Sequence, residues 1–105
     1  MTMKIKWTPL ARQHLRKTLN YVLIHSGSQG HAHLADKVIE WQQTLKEMPE
    51  VGALEPLLQQ RSIPYRSIVI NKLNKLIYYI ENETIIVADF WDTRREPKEQ
   101  ANQIK

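Results

Sequence analysis

The 105-residue chain has no cysteine, which excludes disulfides and thiolate metal sites and suits a reducing cytoplasm. Its opening residues, Met1-Thr2-Met3-Lys4-Ile5-Lys6-Trp7, hold no apolar stretch of signal-peptide length. Apolar runs such as Tyr21–Ile24 are far too short to span a bilayer. Internal repeats and low-complexity segments are missing. So is acid at the start: none occurs before Asp36, whereas Lys4, Lys6, Arg12, Arg16 and Lys17 all do. The expectation is a soluble, cytoplasmic protein forming one domain over residues 1–105.

What is present is an ordinary globular composition, 42% apolar and 25% charged, enough for one hydrophobic core. The net charge of +4 is unevenly spread. Asp36 to Glu55 is acidic in balance, and Arg61, Arg66, Lys72 and Lys75 make the next stretch basic. Glu81, Glu83, Asp89 and Asp92 then reverse the sign before Arg94 and Arg95. A basic excess favours an acidic partner, nucleic acid or protein; a mixed solvated surface explains it equally well.

Periodicity divides the chain. Lys4–Trp7 alternates and predicts an edge strand. Thr8-Pro9 is a helix start, since threonine caps and proline suits the first turn. Ala11, Leu15, Leu19 and Val22 follow at helical spacing, and Gly27 is the expected C-cap. After a short connection at Ser28–Gly30, Leu34, Val38, Trp41, Leu45 and Met48 mark a second helix that Pro49 stops. So short a link predicts an antiparallel helical hairpin. Glu50–Ile63 reads as a loop. Tyr65–Ile70, Leu76–Ile80 and Thr84–Trp91 read as a meander of three strands, with a tight turn at Glu81-Asn82-Glu83.

The predicted class is α+β: an N-terminal strand and a helical hairpin packed on a small, mainly antiparallel four-stranded sheet, in the order β-α-α-β-β-β. One sheet face is expected to stay open to solvent or a partner. Alternation turns Tyr78 and Phe90 inward and exposes Tyr79 and Trp91, which could stack on bases. His31-Ala32-His33 predicts no metal site, because i and i+2 diverge on a helix and no third ligand is near. The last strand empties into Trp91-Asp92-Thr93-Arg94-Arg95-Glu96-Pro97. Paired guanidinium groups at a strand end are a ready site for phosphate or carboxylate.

Several of these pieces, taken in order, resemble the RelE/ParE superfamily of toxins from bacterial type II toxin–antitoxin systems. They are Trp7-Thr8-Pro9-Leu10-Ala11, the helical hairpin, Pro49-Glu50-Val51-Gly52, Tyr65-Arg66, Ile77-Tyr78 and Phe90 to Pro97. The resemblance implies a growth-inhibiting toxin neutralised by a cognate antitoxin, in some systems as a heterotetramer, with no cofactor. RelE-like members cut mRNA on the ribosome, whereas ParE-like members poison DNA gyrase by binding.

Metal-free RNA cleavage needs a base for the 2′-hydroxyl, cations for the developing phosphorane charge and an acid for the leaving oxygen. Carried over by position, the resemblance makes Arg66, Lys75 and Arg95 the candidate catalytic residues. Arg61, Tyr79, Trp91 and Arg94 are the candidate substrate-binding residues. The chain departs from the RelE-like pattern at Ile68, where a second basic residue is expected, and in having no tyrosine after Arg94. Related endonucleases carry a histidine at the end of the last strand; here His14, His25, His31 and His33 all lie early in the chain. Three readings therefore stay open: ribosome-dependent mRNA cleavage, gyrase poisoning by binding, and a non-toxic member that only binds antitoxin.

Overall fold

In the computed structural model, which describes residues 3–104, Thr8 caps the first helix as expected. Its side-chain oxygen accepts from the Ala11 amide at 3.1 Å, and its hydroxyl donates to the Ala88 carbonyl at 3.0 Å. One threonine thus starts the helix and ties it to the sheet.

The elements are β1 (Lys4–Trp7), α1 (Pro9–Glu47), β2 (Ala53–Leu54), a 3-10 turn (Pro56–Leu58), β3 (Arg66–Asn71), β4 (Asn74–Glu81), β5 (Thr84–Asp92) and α2 (Pro97–Gln103). Within α1, Gly27 leaves helical geometry at φ 76°, ψ −175°. A straight helix of 39 residues would run about 58 Å. The longest dimension of the molecule is 39 Å, so the chain doubles back at Gly27. The predicted hairpin is present, but its connection is this glycine alone; Ser28–Gly30 is already helical. Positive φ costs a residue with a Cβ about 1–2 kcal/mol, which is why glycine serves here.

The sheet has five strands, not four, in the order β1-β5-β4-β3-β2. β1 runs parallel to β5 and the other pairings are antiparallel. The additional strand, β2, lies in the segment expected to be a loop and pairs Ala53 with Ser67 and Leu54 with Arg66. Two exposed residues offer no alternation to detect. Just before it, Gly52 is pressed against Tyr78, whose hydroxyl accepts from the Gly52 amide at 2.9 Å and donates to the Pro49 carbonyl at 2.8 Å. A Cβ at position 52 would fall 2.7 Å from that hydroxyl oxygen.

The hairpin covers one face of the sheet. Ala11, Leu34, Val38 and Leu45 meet Ile68, Leu76, Tyr78, Ile85, Val87 and Phe90 there. The opposite face is not open. Leu58, Tyr65, Ile77, Ala88, Trp91, Ala101 and Ile104 form a second apolar cluster on it. Trp91, expected to be exposed, is 2% exposed. Alternation assigned its side of the sheet, but not the short helix α2 that covers it. Seven residues with little apolar content make a weak helical signal.

A bulge in β5 sets which residues face which way. Ile77 pairs with Asp89 and Tyr78 with Val87, so Ala88 has no cross-strand partner. The extra residue breaks the alternation. Val87 and Phe90 both reach the hairpin side, while Ala88 and Trp91 both join the second cluster. No helix among the described residues is long and apolar enough to cross a membrane.

Candidate functional site

Most of the cations expected to bind phosphate are engaged elsewhere. Arg66 donates through Nη1 to the carbonyls of Gly52 at 2.7 Å and Glu50 at 3.4 Å, fastening the segment before β2. Arg61 donates to the carbonyls of Ala101, at 2.8 Å, and Ile104, holding the C-terminal end of α2. Lys75 places Nζ 2.5 Å from Glu55 Oε1 and lies 5.9 Å from the centroid of the Trp91 ring. Glu55 is 1% exposed. Burial pushes its carboxyl up, but the bonds from Lys75 and from the Leu57 amide outweigh that and leave it below the ordinary glutamate range. Tyr79 is half-buried and meets Tyr65 edge-on at 5.4 Å. Trp91 gives its indole N–H to Asp89 Oδ2 at 2.9 Å. Arg61, Arg66, Lys75 and Trp91 are thus parts of the framework.

The paired arginines behave differently from each other. Arg94 forks onto Asp92, with Nε and Nη2 each 3.1 Å from a carboxylate oxygen, and its guanidinium lies 5.8 Å from the Tyr21 ring centroid. That guanidinium holds the Asp92 carboxyl below the usual range against a smaller opposing effect of burial. Arg95 is exposed and forms no ion pair among the described residues. Both line a cleft of about 320 Å³ with His14, Lys17, Tyr21 and Asp92.

The structure also brings together a pair that the sequence did not reveal. His14 Nδ1 lies 2.6 Å from Asp89 Oδ1. Asp89 is fully buried beside the bulge and also accepts from the Phe90 amide at 2.7 Å and from Trp91. With Nδ1 donating to Asp89, Nε2 has no hydrogen-bond partner among the described residues, and the His14 side chain lines the cleft. In sequence His14 is remote from the last strand, 75 positions from Asp89. The helix start, fixed on Ala88 by Thr8, returns it to that strand. His14, Lys17 and Tyr21 at i, i+3 and i+7 are legible as one helix face; the meeting of His14 with Asp89 is not. His31 and His33 gather no third ligand: among the described residues no group of three or more His, Cys, Asp or Glu could hold a metal ion.

A comparison with curated proteins finds no match. Among solved structures, the chain is similar to a structure described as the chromosomal ParDE toxin–antitoxin system from P. aeruginosa. The TM-score is 0.67 at 16% identity, covering 87% of this chain and 96% of that one. It is also similar to the YoeB dimer from Staphylococcus aureus, with a TM-score of 0.58 at 18% identity, covering 85% of this chain and 94% of that one. At such identities the likeness establishes the fold, which is that of the RelE/ParE toxins. The family model described as the ParE toxin of the type II toxin–antitoxin system parDE matches residues 5–97, from β1 to the first residue of α2. The chain belongs to that family and is the toxin of a toxin–antitoxin pair, with a cognate antitoxin as its partner.

Proposed function

We propose that this toxin arrests growth in the cytoplasm by binding DNA gyrase, as ParE-like toxins do, and not by cleaving mRNA on the ribosome. The observation that carries this reading is the engagement of Lys75 by a buried carboxylate, 2.5 Å away. A cleaving site needs free cations where charge develops on phosphorus. Here the ammonium is neutralised by Glu55, Arg66 and Arg61 are bonded to backbone carbonyls, and Ile68 is 6% exposed in the core. Displacing those partners would leave a buried carboxylate unpaired, a cost of several kcal/mol before any phosphate is bound. Assembly with the antitoxin into a heterotetramer belongs to the same reading.

The test is induction of the toxin in a bacterial host, with and without the neighbouring antitoxin gene. Gyrase-linked DNA breaks and an SOS response with intact mRNA are expected. Ribosome-dependent mRNA fragments without DNA breaks would overturn the proposal, and so would the absence of any growth defect.

A further inference from the structure

We propose that the cleft between α1 and the end of β5 is a phosphate-binding site, in which His14 Nε2, Lys17 and Arg95 hold the phosphate and Asp89 is the positioning residue for His14. The case begins with Asp89. A wholly buried carboxylate is costly unless its bonds are satisfied, and a core that needed only packing would carry an apolar side chain there. Asp89 is satisfied by the Phe90 amide at 2.7 Å, the Trp91 indole at 2.9 Å and His14 Nδ1 at 2.6 Å. The imidazole is thereby held in one orientation at the wall of the cleft, with Nε2 unbonded among the described residues. Such a carboxylate–histidine pair fixes the ring's orientation and the atom it presents.

The charges around it select an anion. Asp92 is the acid that would repel one, but both of its oxygens are taken by Arg94. Lys17 and Arg95 line the same cleft and have no carboxylate within ion-pairing distance among the described residues. With both ring nitrogens protonated, His14 donates from Nδ1 to Asp89 and from Nε2 to the anion; that ring, Lys17 and Arg95, facing one partly enclosed space, suit a phosphate with its several acceptor oxygens. Tyr21, half exposed at the rim, adds an aromatic surface of the kind on which a base or sugar rests. The phosphate can come from a free nucleotide or from a nucleic-acid strand. The cleft lies on the hairpin side of the sheet, away from Lys75 and Trp91, and its assignment does not depend on which target the toxin attacks.

The experiment is a titration of the purified full-length toxin, with the His14 ring nitrogens followed by long-range proton–nitrogen NMR. Probes are inorganic phosphate, adenosine monophosphate, a short single-stranded oligonucleotide, and acetate as the carboxylate control. Phosphate and the mononucleotide are expected to shift the Nε2 resonance saturably, and Lys17→Ala and Arg95→Ala should each weaken binding about tenfold. Tighter binding of the oligonucleotide than of the mononucleotide would support a strand as the source; the reverse order would support a free nucleotide. Asp89→Asn should change the Nδ1/Nε2 protonation pattern and weaken phosphate binding together. If that variant does not fold, the two exposed variants, Lys17→Ala and Arg95→Ala, carry the test. No saturable shift, a shift indifferent to Arg95→Ala, or acetate binding as well as phosphate would overturn the proposal. The last outcome would point to an acidic protein instead.

Discussion

Glu55 and Asp89 are both buried carboxylates, 1% and 0% exposed, and each takes a basic side chain from a distant part of the chain. They do so with different consequences. Glu55 takes the ammonium of Lys75, whose charge is then neutralised where it stands. Asp89 takes only one nitrogen of His14, and an imidazole has a second. The α2 side of the sheet therefore holds cations as struts, while the hairpin side presents to a cleft a histidine and an arginine with no ion pair among the described residues. A basic residue at the right strand position is no evidence of a free charge until the nearest buried acid is located.

The contrast can be broken most severely at Lys75. Lys75→Ala would leave Glu55 buried and unpaired, a loss of about 3 kcal/mol, at the low end of the buried-pair range because Lys75 is itself a quarter exposed. Urea denaturation checks it, and unchanged stability would show that Lys75 is not a strut. Acid probes the same pair without mutation. The Glu55 carboxyl titrates lower folded than unfolded, so its stabilisation is fully present above about pH 4.5 and is lost as the pH falls below that value. In Glu55→Gln that part of the acid-induced loss should vanish, while the part from Asp92, also depressed, remains.

A smaller effect is expected at Arg61. Arg61→Ala removes two bonds to carbonyls and should cost about 1–2 kcal/mol. Faster hydrogen exchange confined to α2 and its neighbours would be the signature. Arg95→Ala should be the mildest, within about 0.5 kcal/mol in the same urea measurement, because the side chain is exposed and forms no ion pair among the described residues. A large loss there would erase the distinction between the two sides.

Legibility followed the range of the interaction. The cap at Thr8, the stop at Pro49, the turn at Asn82 and the helical spacing from Ala11 to Leu45 are local signals, and each element appeared where those residues put it. Tyr78 and Phe90 are buried as alternation required. β2 and α2 were missed because two exposed residues and one short polar helix depend on what they pack against. The paired arginines stood out in the sequence, but nothing local distinguishes Arg94, bonded to the acid two positions before it, from Arg95. His14 is remote from the last strand only along the chain, the one coordinate that folding abolishes.

The sequence by itself determined the α+β class, the element order apart from these two short pieces, and the resemblance to RelE/ParE toxins, because backbone propensity and hydrophobic period act over a few residues. Only the tertiary structure decided which charges are free. Whether a lysine binds phosphate or braces a loop depends on a carboxylate 20 positions away, and whether a histidine reaches the last strand depends on one 75 positions away. The second meeting is made by two small features, the Thr8 hydroxyl bonded to the Ala88 carbonyl and the bulge beside Asp89.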